Sequence, residues 1–190
     1  MSGSRLHYLG LKLLAIVALV FGRQVFALNT FSTMLQHWPG DAYALSSRAH
    51  VLAARGERAA ALADARALVA AHPSRSAADW FNLAFMLEEA NELAPSEAAF
   101  RRALELDPKL DRAWYGLGLV LIKTQRLDEA LAALKRNTEL QPMSPYGWYQ
   151  LARVHMDRHD PDEARKVIAH LRGFEPQVAA QLERETGLAA

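Results

Sequence analysis

Residues 77–108 read AADWFNLAFMLEEANELAPSEAAFRRALELDP, and residues 111–142 read DRAWYGLGLVLIKTQRLDEALAALKRNTELQP. The two stretches keep step. Trp80, Trp114 and Trp148 lie 34 residues apart, and each is followed 28 residues later by a proline, Pro108, Pro142 and Pro176. A fixed period of this length marks a chain built from one repeated supersecondary unit.

Each unit reads as two helices. Trp80, Leu83, Ala84 and Leu87 recur at i, i+3, i+4 and i+7, one stripe of an amphipathic helix. Residues 90–95 break the period, and Pro95 suits the first turn of a new helix. Ser96, Phe100 and Ala103 then form a second stripe, which Asp107-Pro108 stops. The next unit repeats this with Trp114, Leu117, Gly118 and Leu121, a turn at Thr124–Leu127, and Ala130 and Leu134. The third runs from Trp148, Leu151 and Ala152 through Arg158–Pro161 to Ala164, Ile168 and Leu171. Asp160 is placed to cap its second helix.

The pattern Trp-x2-Leu-(Gly/Ala), then Ala-x3-large, then a closing Pro, resembles the tetratricopeptide repeat family. The resemblance implies an all-α fold, a right-handed superhelix of antiparallel helix pairs. Small residues at Ala84, Gly118 and Ala152 would let paired helices approach closely. Asn137 and His155 depart from the family pattern. Counting back from Pro73 places Leu45 in the Trp slot of a degenerate unit in which Arg48 replaces the usual Leu. Four units are expected, 42–75, 77–110, 111–144 and 145–178. Residues 178–190 are expected to form a capping helix and tail, with Val178 and Leu182 inward and Gly187 as its stop.

Residues 1–40 carry Arg5, Lys12 and Arg23 and no acid, whereas the whole chain is +1, so the repeats are mildly acidic behind a basic leader. The apolar run from Leu6 to Gly22 has three readings. A membrane anchor is favoured by its apolarity on every side, its length being at the lower limit for a span. A cleaved signal peptide would use Val25-Phe26-Ala27. A fifth, very apolar helix pair would place Leu11 in the Trp slot, with Leu14, Ala15, Ala27 and Phe31 on the stripes and a turn at residues 21–24. If the run spans, the positive-inside rule puts the repeats outside. The Ala- and Arg-rich composition suggests a bacterium, so the expected location is the inner membrane with periplasmic repeats.

The absence of cysteine removes disulfides and thiolate chemistry. His155 and His159 are four apart, a chelating spacing, but one lies on an inward stripe and the other in a turn. No third ligand follows at a fixed spacing, so no metal, cofactor or catalytic residue is assigned. Basic residues are scattered and balanced, which argues against nucleic acid. No small-molecule substrate is expected.

The family resemblance implies that first helices line a concave groove that takes a partner peptide or helix. The groove positions are Tyr43 and His50; Phe81, Phe85, Glu88 and Glu89; Arg112, Tyr115, Leu119 and Lys123; and Tyr146, Tyr149, Arg153 and Asp157. Aromatic residues rimmed by arginine are common anchors of protein interfaces. The Lys and Asn set with which some members hold a chaperone's terminal carboxylate is absent. The expected function is a non-catalytic adaptor, scaffold or assembly factor anchored to a membrane. The alternative is a permanent accessory subunit of a bacterial membrane complex.

Overall fold

A computed structural model describes residues 2–188. It is all-α, with no strand among those residues. The helices are α1 (Ser2–Val20), α2 (Gln24–His37), α3 (Ala42–Ala54), α4 (Arg58–Ala71), α5 (Ala77–Glu89), α6 (Leu93–Leu106), α7 (Asp111–Lys123), α8 (Leu127–Leu140), α9 (Pro145–Asp157), α10 (Pro161–Arg172) and α11 (Pro176–Thr186). The chain divides into two compact units, one ending at Met86 and the other beginning at Leu87, within α5.

The turns inside the pairs share one device. Gly22, Gly56, Asn91, Gln125 and His159 all have φ between 58° and 79°, and each stands eleven residues after the Trp slot of its pair. The following amide reaches back five residues: Arg23 N to Ala18 O at 2.7 Å, and Glu57 to Leu52, Glu92 to Leu87, Arg126 to Leu121 and Asp160 to His155 at 2.9 Å each. This satisfies carbonyls that the end of the first helix leaves free. Only a residue tolerating the left-handed region can hold the turn.

In the first unit, α1 and α2 make such a pair. Ala15 and Ala18 of α1 meet Ala27, Phe31 and Met34 of α2 in a core that takes in Ala44 and Val51 of α3. This corrects the expected membrane anchor. No helix of the described residues is long and apolar enough to cross a membrane. Arg5, His7, Gly10 and Lys12 dilute the apolar run, and Lys12 Nζ sits 4.4 Å from the centre of the Tyr43 ring instead of reaching an interface. With the span goes the argument for an inner-membrane location and periplasmic repeats. Val25-Phe26-Ala27 lies within α2.

Arg48, the departure in the degenerate unit, has a partner. Its Nε and Nη2 donate to both oxygens of Asp64 at 2.7 and 2.6 Å, and Nη1 donates to Ser32 Oγ at 3.0 Å. Asp64 is buried and the Arg48 side chain a quarter exposed, so the bidentate pair ties α2, α3 and α4 through a largely buried carboxylate. The pair raises the Arg48 pKa, chiefly through the hydrogen bond to Asp64.

The second unit holds the close approaches. A Cβ on Gly118 would fall 2.8 Å from the Leu134 side chain, so α7 lies closer to α8 here than an alanine would allow without Leu134 shifting. Asn137 Nδ2 donates to the Asp111 carbonyl at 2.9 Å, and its Oδ1 lies where a Cβ on Gly147 would stand. The departure at 137 thus bridges α8 to both neighbours. Outside the core, Glu97, Arg101, Arg126 and Glu129 close a ring of alternating charge between α6 and the start of α8, with contacts of 2.6–3.1 Å.

The tryptophans join consecutive pairs. Trp80 Nε1 donates to Pro73 O, Trp114 to Pro108 O and Trp148 to Pro142 O, each at 2.9 Å. The same constraint therefore fixes tryptophan and proline. Where Leu45 replaces the indole, His72 Nε2 lies 2.6 Å from the Gly40 carbonyl.

Two substitutions test this account. Gly56→Ala, at φ +79° with open space for the methyl group, should lower the unfolding free energy by about 1–2 kcal/mol in urea titration. Arg48→Leu, which restores the family residue, should destabilise by about 3–5 kcal/mol because Asp64 is left buried and unpaired. Adding Asp64→Ala should recover most of that loss.

Candidate protein-binding groove

In the first unit the first-helix face opens a cavity of about 640 Å³. Ser46, Ser47 and His50 of α3, Asn82 and Met86 of α5, and Gln24 of α2 are among its walls. Hydroxyl, amide and imidazole groups over an apolar floor can hydrogen-bond an extended backbone and seat its side chains. His50 is exposed at this cavity. Tyr43 is half-buried, edge-on to Phe31 at 5.9 Å with Lys12 over its ring. Phe81 is half-buried, whereas Phe85 is 49% exposed on the next turn of α5.

In the second unit Glu88 accepts a hydrogen bond from Lys123 of α7, which ties two of the expected groove charges to each other. Glu89 and Arg112 are exposed, and Leu119 is half-buried. Tyr115 packs against a cluster of Leu131, Leu134, Leu151 and Val154. Tyr146 stands 69% exposed at the start of α9.

Tyr149 is engaged by the capping helix. Its hydroxyl donates to Glu185 Oε2 at 2.6 Å, and Gln181 Nε2 donates to the other oxygen at 2.7 Å. The bond to Glu185 pushes the phenol pKa up and holds the Glu185 carboxyl down. The Arg153 guanidinium lies 5.8 Å from the Tyr149 ring centre. Tyr149, Arg153, Met156, Asp157, Glu185 and Thr186 surround a recess of about 480 Å³. The first unit thus presents Phe85 exposed and Tyr43 half-buried, and the second presents Tyr146 exposed and Tyr115 and Tyr149 half-buried.

Sequence reasoning did not pick out Gln24, Ser47, Asn82 and Glu185. Ser47 and Asn82 share the slot two after the Trp position, so the register could have found them. Gln24 needed α1 and α2 to be read as a pair.

His155 and His159 do not converge. His159 is exposed and supplies the left-handed turn residue. His155 is buried on α9 with no hydrogen-bond partner at Nδ1, which lies 3.6 Å from Asp160 Oδ2. Among the described residues no three His, Asp or Glu side chains form a group that could hold a metal.

The tetratricopeptide repeat family model matches residues 87–145. No curated protein matches the chain in sequence. Among solved structures, a MamA crystal structure is similar at a TM-score of 0.82 and 18% identity, covering 100% of this chain and 99% of its own. YrrB, described as a TPR protein with an unusual peptide-binding site, gives 0.81 at 17% identity over 90% of this chain and 88% of its own. A tetratricopeptide repeat protein from Parabacteroides merdae gives 0.81 at 18% identity, covering 95% and 73%. At these identities the likeness is one of fold.

Burial pushes the His155 pKa down, opposed by the Asp160 carboxylate and reinforced by Lys135. The folded state therefore binds that proton less readily than an unfolded chain, whose histidine titrates near about 6.5. His155 contributes its full stability above that value and loses it as pH falls through the folded-state pKa. His155→Phe should flatten this acid-side loss. The check is the difference between variant and wild-type urea midpoints from pH 7.5 to about pH 5.

Proposed function

We propose, from the premise that this chain is a tetratricopeptide-repeat protein, that it is a non-catalytic scaffold holding a segment of a partner protein on its first-helix face. The observation that carries the reading is the pairing of a polar-walled cavity with an exposed aromatic side chain. Ser46, Ser47, His50 and Asn82 line the cavity, and Phe85 stands exposed on the same helix as Asn82. Near such a cavity an exposed aromatic gives a partner a ring to bury. The peptide-binding description of YrrB supports the same use of the fold.

The segment that fits is an extended peptide or short helix with apolar side chains. Ser, Asn and His around the cavity serve its backbone. Phe85 serves as its anchor, since it can bury most of a ring at small rotamer cost.

The test places a photocrosslinking residue at position 85 or at the exposed Lys166 of α10 in intact cells. One discrete protein adduct from 85, absent at 166, is the expected result. Phe85→Ala should lower recovery of that partner by about tenfold or more, the loss of a hot-spot residue, with helicity unchanged. Equal adducts from both positions, or undiminished capture by the variant, would sink the assignment.

A further inference from the structure

Three of the helix pairs share a joint that α1 leaves open. In α3, α7 and α9 the residue before the Trp slot is Ala44, Ala113 or Gly147, and the residue six after it is Val51, Val120 or Val154. All six are buried, because the second helix of the preceding pair lies against that face: α2 on α3, α6 on α7, α8 on α9. In α1 the same two slots hold Gly10 and Val17, with Leu14 between them in the position of Leu117 and Leu151. The residue types suit a helix lying across them. Yet Val17 is 43% and Leu14 44% exposed, against 0–5% for their buried counterparts, and a Cβ on Gly10 would meet nothing within 4 Å. Leu6 and Phe21, also exposed, prolong the stripe at both ends. α1 thus keeps on this face the residues of an inner joint.

Charge selects the occupant. Arg5 precedes Leu6 and Arg23 follows Phe21, at the two ends of the stripe, and residues 1–40 contain no acid. A second copy offering its own α1 would bring cation against cation. A second copy offering its other end would present α11, whose exposed residues Gln177, Gln181, Arg184 and Glu185 are polar and cannot fill the stripe. We propose that the outer face of α1 docks an amphipathic helix of another protein. That helix would seat an apolar side chain over Gly10, between Leu6 and Leu14, and carry acidic residues beside its stripe opposite Arg5 and Arg23. Ridge-into-groove packing over a glycine supplies the shape, and opposite charge supplies partner choice. The surface is distinct from the groove.

Two synthetic helical peptides of about 18 residues, sharing one Leu/Ala stripe and flanked by Glu in one and Lys in the other, provide the test. Fluorescence anisotropy with the full chain should show saturable binding of the acidic peptide and at least about tenfold weaker binding of the basic one. Gly10→Leu, which fills the recess while favouring helix, and Val17→Glu should each weaken the acidic peptide by a similar factor. Circular dichroism should be unchanged, since both sites are exposed. Phe85→Ala should leave this binding intact. Failure of both peptides to bind, equal binding of the two, or indifference to both α1 variants overturns the proposal. So does a wild-type dimer that Val17→Glu converts to monomer, which assigns the face to a second copy. Capture on anionic phospholipid vesicles, lost in Val17→Glu while the acidic peptide fails to bind, assigns it to lipid and also overturns it.

Discussion

A chain that doubles back between two antiparallel helices in a few residues must reverse its backbone somewhere, and here it does so at one left-handed residue per pair. That constraint sets where each first helix ends. It also fixes which residues of the two helices come abreast, so that Gly118 meets Leu134 and Ala15 shares a core with Phe31. The next joint depends on it in turn. Only with the second helix ending at a fixed point does the closing proline offer its carbonyl to the following tryptophan. Two short-range devices, neither strong alone, generate the 34-residue period.

The period was legible because it repeats, and the residues that carry it are large and rare. The turn device was half legible. Gly22 and Gly56 announce a left-handed position, but Asn91, Gln125 and His159 do so only through their equivalence with those glycines. The leader misleads for a physical reason. An apolar run looks the same whether its faces meet lipid or one face meets a partner helix. The register through Leu11, Ala27 and Phe31 points instead to the helix pair that α1 and α2 form. In the groove the slots could be listed, but their availability could not. Tyr149 and Phe85 are both first-helix aromatics in the sequence; only the fold places Glu185 on one and water on the other.

Departures from the family pattern turned out to be paired. Arg48 is balanced by Asp64 and Ser32, and Asn137 by the Asp111 carbonyl and the space above Gly147. His155 is the exception, a polar ring in an apolar slot with one nitrogen unserved. Polar groups inside helix pairs fix register as well as stability, since a slipped pairing leaves them without partners. The two ends of the chain differ in kind. One carries a polar capping helix tied down by Arg172 and Glu183 and by Tyr149 and Glu185, the other an apolar helix built like an interior one.

The reach of the tryptophan bonds has a kinetic consequence. Each spans six or seven residues, and even the bond from Tyr149 to Glu185 spans 36. With so little distant chain to gather, loop-closure entropy is small and folding belongs to the fast, low-contact-order class. A growing chain can complete each helix pair soon after its closing proline is made, without waiting for the remainder. By the same token, a lesion in one pair spreads mainly to its immediate neighbours. Trp80, Trp114 and Trp148 sit at these seams, so their fluorescence would follow the parting of adjacent pairs rather than the melting of any single helix.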